Sequence, residues 1–164
     1  MLVSDGEFLR LRETREIEID PFNMDQLQPA SYDMTLGAEL LLDGAFPHTI
    51  DGEYVMAPNE FLLATTIEEV RLNHRFAGRV EGKSSLGRKG LLVHVTAGFV
   101  DPGFRGRITL ELKNLSGSPI VLKTGQKIAQ MTWIYMDRIV QRPYGHADLN
   151  SKYQDQSTVT ESRV

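Results

Sequence analysis

The chain has 164 residues, 41% hydrophobic and 24% charged, with a net charge of -4: enough length for one domain with a sizeable core, and too little positive charge for a broad nucleic-acid-binding surface. It contains no cysteine, which excludes disulfides, thiolate nucleophiles and cysteine-ligated zinc, and gives secretion no support. No apolar run approaches the ~20 residues that span a bilayer, and the acidic stretch MLVSDGEFLRLRE is unlike a signal peptide, so the expectation is a cytoplasmic protein of one domain, residues 1–164, with no membrane or nucleic-acid partner.

In chain order, Ser4 followed by Glu7 and then by Phe8, Leu9 and Leu11 reads as a capping-box start to a short helix. REIEID alternates and predicts a strand. A turn or short helix interrupted by Pro29 follows, then a strand near Tyr32–Leu36. AELLLDG, FLLATTIEEV and FAGRVEGK predict further strands, with a polar loop containing glycine and proline between the first two. In LLVHVTAG, an extended chain puts Leu91, Val93, Val95 and Ala97 on one face and Leu92, His94 and Thr96 on the other. The clearest strand is GRITLELKN: Ile108, Leu110 and Leu112 point one way, Arg107, Thr109, Glu111 and Lys113 the other. PIVLKTGQKIAQMTWIYM predicts a strand, a glycine turn and a second strand. Short strands with few helices predict an all-β sandwich, jelly roll or barrel. From about His146 the sequence turns polar and lacks apolar positions to anchor it. It suits either a frayed tail or a mobile flap, residues 146–164, that orders over a ligand.

Three stretches carry chemistry. In GKSSLGR, Gly82 to Arg88, glycines let backbone amides approach an anion while two hydroxyls, a lysine and an arginine add donors and charge. The set suits a phosphate chain, although it lacks the Walker A order and also reads as a polar β-turn. His94 stands alone among apolar residues, the usual setting of a hydrogen-bonded core histidine. His48, His74 and His146 lie in polar loops at no ligand spacing. Glu111 shares a strand face with Thr109 and follows the turn that holds Asp101. Such a glutamate is ordinarily a solvated charge, and becomes a candidate base if that face lines a pocket.

Together with LQPASYDMTLG, TGQKIAQM, RPYG and SKYQDQ, the long block EGKSSLGRKGLLVHVTAGFVDPGFRGRITLEL resembles the dCTP deaminases, of the superfamily that also contains trimeric dUTPases. The chain lacks the glycine-rich terminal arm of the trimeric dUTPases and has the deaminase type of tail, and Glu111 fills the place of the deaminases' strand glutamate. The resemblance implies a distorted β jelly roll or barrel of the dUTPase-like type, assembled as a homotrimer with sites between subunits. It places Lys83, Ser84, Ser85, Leu86, Gly87 and Arg88 at the triphosphate and the reactive water, and Asp101 at the sugar 3′-hydroxyl. Thr109, Leu110 and Glu111 fall on the cytosine-recognising strand. Gln130, Tyr144, Lys152 and Gln156 complete the nucleotide site, the last two from the flap. Thr96, Ala97 and Gly98 form the adjoining loop. Magnesium is implied as a passenger on the triphosphate, with no direct protein ligand and no zinc, and feedback by dTTP is suggested.

The implied activity is deamination of dCTP at cytosine C4. Zinc deaminases activate water at a cysteine-ligated metal; without cysteine, the water proton falls to Glu111. A carboxylate of ordinary pKa, about 4.3, is a poor base at neutral pH; desolvation improves it, and a cation in hydrogen-bonding range opposes that gain. Arg88 is therefore assigned to orienting the water and stabilising developing charge, with Ser84 as its helper, and His94 to holding the loop and the catalytic strand in register. Gly98, after Thr96-Ala97, matches relatives that continue to dUMP and pyrophosphate, supplying dUMP for thymidylate synthesis. A small residue there leaves room for a second water, with Asp101 nearby as its orienter or base. Val95 matches relatives that stop at dUTP, so release of dUTP stays open. The chain is also short between Leu41 and Tyr54, which keeps dCMP open as a substrate. A plain dUTPase and a non-catalytic nucleotide sensor are the rival readings.

Overall fold

Ser4 caps helix α1 (Asp5–Glu13), its hydroxyl accepting the Glu7 N–H at 3.4 Å. Only half of the expected capping box forms, because the Glu7 carboxylate turns to Arg10 and to the Tyr135 hydroxyl instead of returning to Ser4. Those two partners hold the Glu7 carboxyl down at about 2. The tie between α1 and Tyr135 is thus fully present above the ordinary value of 4.5 and is lost only as pH falls through about 2. The helix buries Phe8 and Leu11, and Phe8 packs among Phe22, Tyr32 and Trp133 with ring centroids 4.7 to 6.2 Å apart.

The computed structural model describes residues 1–42 and 47–163, and among them the fold is mainly β. The strands are β1 (Ile17–Asp20), β2 (Leu27–Gln28), β3 (Ser31–Leu42), β4 (His48–Thr49), β5 (Glu53–Met56), β6 (Phe61–Leu72), β7 (Phe76–Gly82), β8 (Leu91–Leu92), β9 (Phe99–Val100), β10 (Arg105–Asn114), β11 (Ile120–Lys123) and β12 (Lys127–Tyr135). A one-turn helix α2 (Ser84–Gly87) follows β7. The main sheet runs β8-β10-β6-β3-β12-β7-β9, with β1 added to β6 and β2 and β4 added to β3; β11 and β5 form a separate pair. The sheet curls into the expected jelly-roll-like half-barrel around a core that includes Tyr32, Met34, Leu110, Leu112, Met131 and Trp133. The short connection between Leu41 and Tyr54 lies in part outside the described residues; its described part includes β4. Among the described residues no helix is long and apolar enough to cross a membrane.

Two predicted strands, Tyr32–Leu36 and AELLLDG, are one strand, β3, buried on both faces along residues 32–37. Tyr32, Met34 and Leu36 enter the apolar core, while Asp33 and Thr35 face a buried polar cluster. There the Glu68 carboxylate accepts from the Gln26 amide (2.8 Å), the Thr35 N–H (2.8 Å) and the Thr35 hydroxyl (2.6 Å), so the buried charge is met by neutral donors. β10 keeps the predicted alternation: Ile108, Leu110 and Leu112 are buried, and the intervening residues are partly exposed. Its pairing with β6 shifts register between Arg107 and Thr109. At that irregularity the Thr66 hydroxyl accepts the Ile108 N–H at 3.0 Å and donates to the Glu68 carbonyl at 2.8 Å, replacing the missing ladder bonds.

The polar tail beyond His146 lies along β10. Gln156 makes a parallel bridge with Gly106, and Val159 is 4% exposed, with its N–H donating to Glu39 at 3.1 Å. The expectation that the tail has no apolar anchor is thus corrected by this one valine.

Candidate active site

Residues 91–100 join the two ends of the curled sheet. Leu92 pairs with Lys113 on β10 and Phe99 with Arg79 on β7, so the intervening loop crosses the gap between them. Periodicity predicts an extended chain from Leu91 to Ala97, but in that stretch only Leu91–Leu92 is strand, and Val95 is 48% exposed instead of sharing the core with Leu91 and Val93. The cause is Glu111. Its Oε2 accepts the N–H groups of Val95 (2.9 Å) and Thr96 (3.4 Å). Two amides drawn to one carboxylate oxygen cannot also serve a ladder. The loop therefore wraps around Glu111 and fixes its side chain, while Oε1 makes no hydrogen bond among the described residues.

Glu111 stands on the wall of an open cleft of about 580 Å³, which Ala97, Asp101, Thr109, Tyr144 and Gln156 also line. The carboxylate is partly exposed in the single chain, because the cleft is open on one side. Thr109 Oγ1 and Gln156 Oε1 are buried without a hydrogen-bond partner among the described residues, so their hydrogen-bonding capacity is unused there. The Asp101–Phe104 turn closes with the Phe104 N–H on the Asp101 carbonyl at 3.1 Å. Tyr144 stacks edge-on against Phe104, with centroids 5.6 Å apart, and its hydroxyl accepts the Tyr153 N–H at 3.0 Å. Apolar residues including Phe61, Leu63, Phe99 and Ile108 complete the walls. Leu110 is fully buried on the opposite face of β10, so its side chain packs the core and does not line the cleft.

The other expected residues stand elsewhere. Lys83 precedes α2, which carries exposed Ser84, Ser85 and Gly87, with Leu86 packed on the core and Arg88 exposed at its end. Lys83 Nζ lies 2.5 Å from Asp33 Oδ1, and Lys127 Nζ lies 3.4 Å from Asp33 Oδ2. Gln130 is in register with both Asp33 and Glu81, at the same corner. None of residues 83–88 lines the Glu111 cleft, nor do Gln130 and Lys152. Within the chain, and among the described residues, Arg88 pairs with no carboxylate. The expected approach of Arg88 to Glu111 is therefore not made inside one chain: α2 hangs from the end of β7, whereas Glu111 lies on β10, across the joining loop. Sequence reasoning passed over Asp33; its signal was a lone acid between the apolar residues of SYDMTLG.

His94 and Gly98 tie the joining loop to β7 rather than to β10. His94 Nε2 is 4.0 Å from Glu81 Oε2, and the Gly98 carbonyl accepts the Val80 N–H at 2.7 Å. A Cβ at Gly98 would stand 2.7 Å from the Val80 carbonyl oxygen and 3.0 Å from the His94 ring. The missing side chain thus makes room for Val80 and His94 rather than for a water in the cleft. Gly98→Ala is expected to destabilise the protein by about 1–3 kcal/mol, read as a lowered urea midpoint, and to loosen the Val95 and Thr96 amides from Glu111.

Comparison with solved structures places this half-barrel among the dUTPase-like and dCTP deaminase folds. The crystal structure of the 2′-deoxycytidine 5′-triphosphate deaminase from Agrobacterium tumefaciens superposes with a TM-score of 0.69 at 20% identity, over 80% of this chain and 47% of that one. The chain thus spans about half the length of that structure. A dUTPase from phage phi11 of S. aureus superposes with a TM-score of 0.52 at 15% identity, over 77% of this chain and 94% of that one. In sequence, residues 43–136 match the dCTP deaminase-like family model. The "dCTP deaminase, dUMP-forming" of Corynebacterium efficiens is 40% identical, over 99% of this chain and 94% of that one. A protein of the same description from Methanobrevibacter smithii is also 40% identical, over 99% of this chain and 95% of that one. The chain belongs to the dCTP deaminase-like family.

Proposed function

We propose that this protein, working as a single domain, deaminates dCTP and carries the product on to dUMP and pyrophosphate. The observation that carries the reading is the Glu111 carboxylate, pinned through Oε2 and with Oε1 unbonded among the described residues, on the wall of a cleft that Thr109 and Gln156 also line. The name shared by full-length relatives at 40% identity supports dUMP as the end product.

In this mechanism Thr109, Gln156 and the backbone near Leu110 hold the cytosine edge. Oε1 of Glu111 takes a proton from a water as its oxygen bonds to C4, and passes that proton to ring N3. A second proton transfer from the water-derived hydroxyl, through Glu111, lets the amine leave as ammonia and forms the C4 carbonyl. Arg88 and Ser84 orient the water and stabilise the developing charge. Since Arg88 does not reach Glu111 within a chain, the complete site takes Arg88, Ser84, Ser85 and Lys83 from the partner subunit of a homotrimer. In the second step a water attacks the α-phosphorus, the bond to the bridging oxygen breaks and pyrophosphate leaves, with Asp101 beside the sugar. Cations and hydroxyls in the 83–88 segment suit phosphate oxygens better than they suit a metal, so magnesium would ride on the triphosphate and neutralise part of its charge. The dUMP formed feeds thymidylate synthesis, and dTTP fits as a feedback ligand of the same cleft.

Incubation with dCTP and magnesium is expected to release one ammonia per dUMP and pyrophosphate, with no accumulation of dUTP. Ammonia with dUTP as the final product would remove the second step. Hydrolysis of dUTP without ammonia from dCTP would remove the deaminase reading.

A further inference from the structure

The structure assigns Arg105 and Asp155 a positioning role: we propose that this ion pair is the clasp that seats the tail on β10 and so holds Gln156 in the cleft. The inference rests on the reading of that cleft as the dCTP site. Residues 154–156 turn alongside residues 103–107 and join them through one parallel bridge, Gly106 to Gln156. The Asp155 N–H donates to the Arg105 carbonyl at 2.9 Å and the Arg107 N–H to the Gln156 carbonyl at 2.9 Å. The Gln154 side chain accepts the Arg105 N–H at 3.1 Å and donates to the Gly103 carbonyl at 2.9 Å. The Gln156 amide donates to the Arg107 carbonyl at 2.6 Å, and its Oε1 is buried without a partner among the described residues.

The seat is shaped for this tail. Gly106 has φ of 142°, and a Cβ there would stand 2.7 Å from the Gln156 carbonyl oxygen. Asp155 takes φ of 61°, a left-handed conformation that aspartate tolerates better than most residues. Arg105 Nε donates to the Asp155 carboxylate, and Arg105 lines a separate depression with Arg71 and Gln154, away from the cleft that Gln156 lines. The clasp and the substrate contact therefore occupy opposite sides of one tail segment. The other side chains around the pair are Arg71, held by Glu18, and Glu69 on β6.

Every other tail bond in this stretch is neutral, so the ion pair is the contact that can be altered without touching the cleft or the backbone. Its side chains are 43% and 51% exposed, so removing it leaves the global fold nearly unchanged. It changes the fraction of chains with Gln156 in place, which divides directly into apparent affinity.

Arg105→Glu and Asp155→Arg are each expected to speed amide exchange at Asp155 and Arg107 roughly tenfold, to raise KM for dCTP several-fold with a smaller change in kcat, and to leave the melting temperature in place. The double charge swap is expected to restore exchange and KM in large part, short of the wild type because arginine tolerates φ of 61° at position 155 less well than aspartate. Wild-type protein in 0.5 M salt should move towards the single variants, because an exposed pair is screened. Unaltered exchange in the single variants would overturn the clasp, as would altered exchange with an unaltered KM or a swap that restores neither. Wild-type protein that releases no ammonia from dCTP would instead overturn the reading of the cleft, while the exchange measurements judge the clasp by themselves.

Discussion

Glu111→Gln keeps the fold and the affinity for dCTP and loses turnover by a factor on the order of 10²–10⁴, the usual range for a general acid–base. The substitution keeps the shape of the side chain and one carbonyl oxygen to accept the Val95 and Thr96 amides, which the carboxylate now meets at 2.9 and 3.4 Å. What disappears is the capacity to take a proton at the other oxygen and give it back. Hydrogen-bonding capacity for the base remains in Thr109 and Gln156, so substrate titration should be little altered while ammonia release collapses. A variant that deaminates at the wild-type rate would remove Glu111 from the mechanism.

Mixing two inactive variants should restore activity. Arg88→Ala alone is expected to lose a factor on the order of 10²–10³, the scale of one charge-stabilising donor. Among the described residues, Arg88 stands at the end of α2 without a carboxylate partner, and Glu111 stands in a cleft that none of residues 83–88 lines. If a complete site pairs Glu111 of one subunit with Arg88 of the partner subunit, any trimer containing both Glu111→Gln and Arg88→Ala chains has one intact site. Random reassembly of equal amounts then recovers about a quarter of wild-type activity, by counting subunit arrangements around a three-fold axis. Reassembled mixtures that stay as inactive as either parent would place both residues of a site in one chain.

How much of this was legible in the sequence depended on whether a residue answered to its own strand or to something distant. On β10, Ile108, Leu110 and Leu112 face the core because a strand with one buried face must alternate, and that alternation put Thr109 and Glu111 together on the other face. From Val95 to Ala97 the same rule failed, since the pattern cannot show that a carboxylate on another strand captures the Val95 and Thr96 amides. Asp33 was passed over because a polar residue in an alternating strand reads as solvated, whereas β3 is buried on both faces and Asp33 lies between two lysines. Val159 was passed over because one apolar residue in a polar run has no period. The placement of Arg88 away from the Glu111 cleft within one chain could not be read from the sequence, because neither strand periodicity nor motif order fixes where α2 and β10 lie relative to one another.

The most direct measurement is a crystal structure of the Glu111→Gln protein with dCTP and magnesium. It should show the cytosine ring in the cleft, with the substituted side chain and a water about 3–3.5 Å from C4, and Arg88 of the partner subunit approaching that water. A nucleotide bound with its ring outside this cleft, or with C4 turned to bulk solvent away from position 111, would contradict the account.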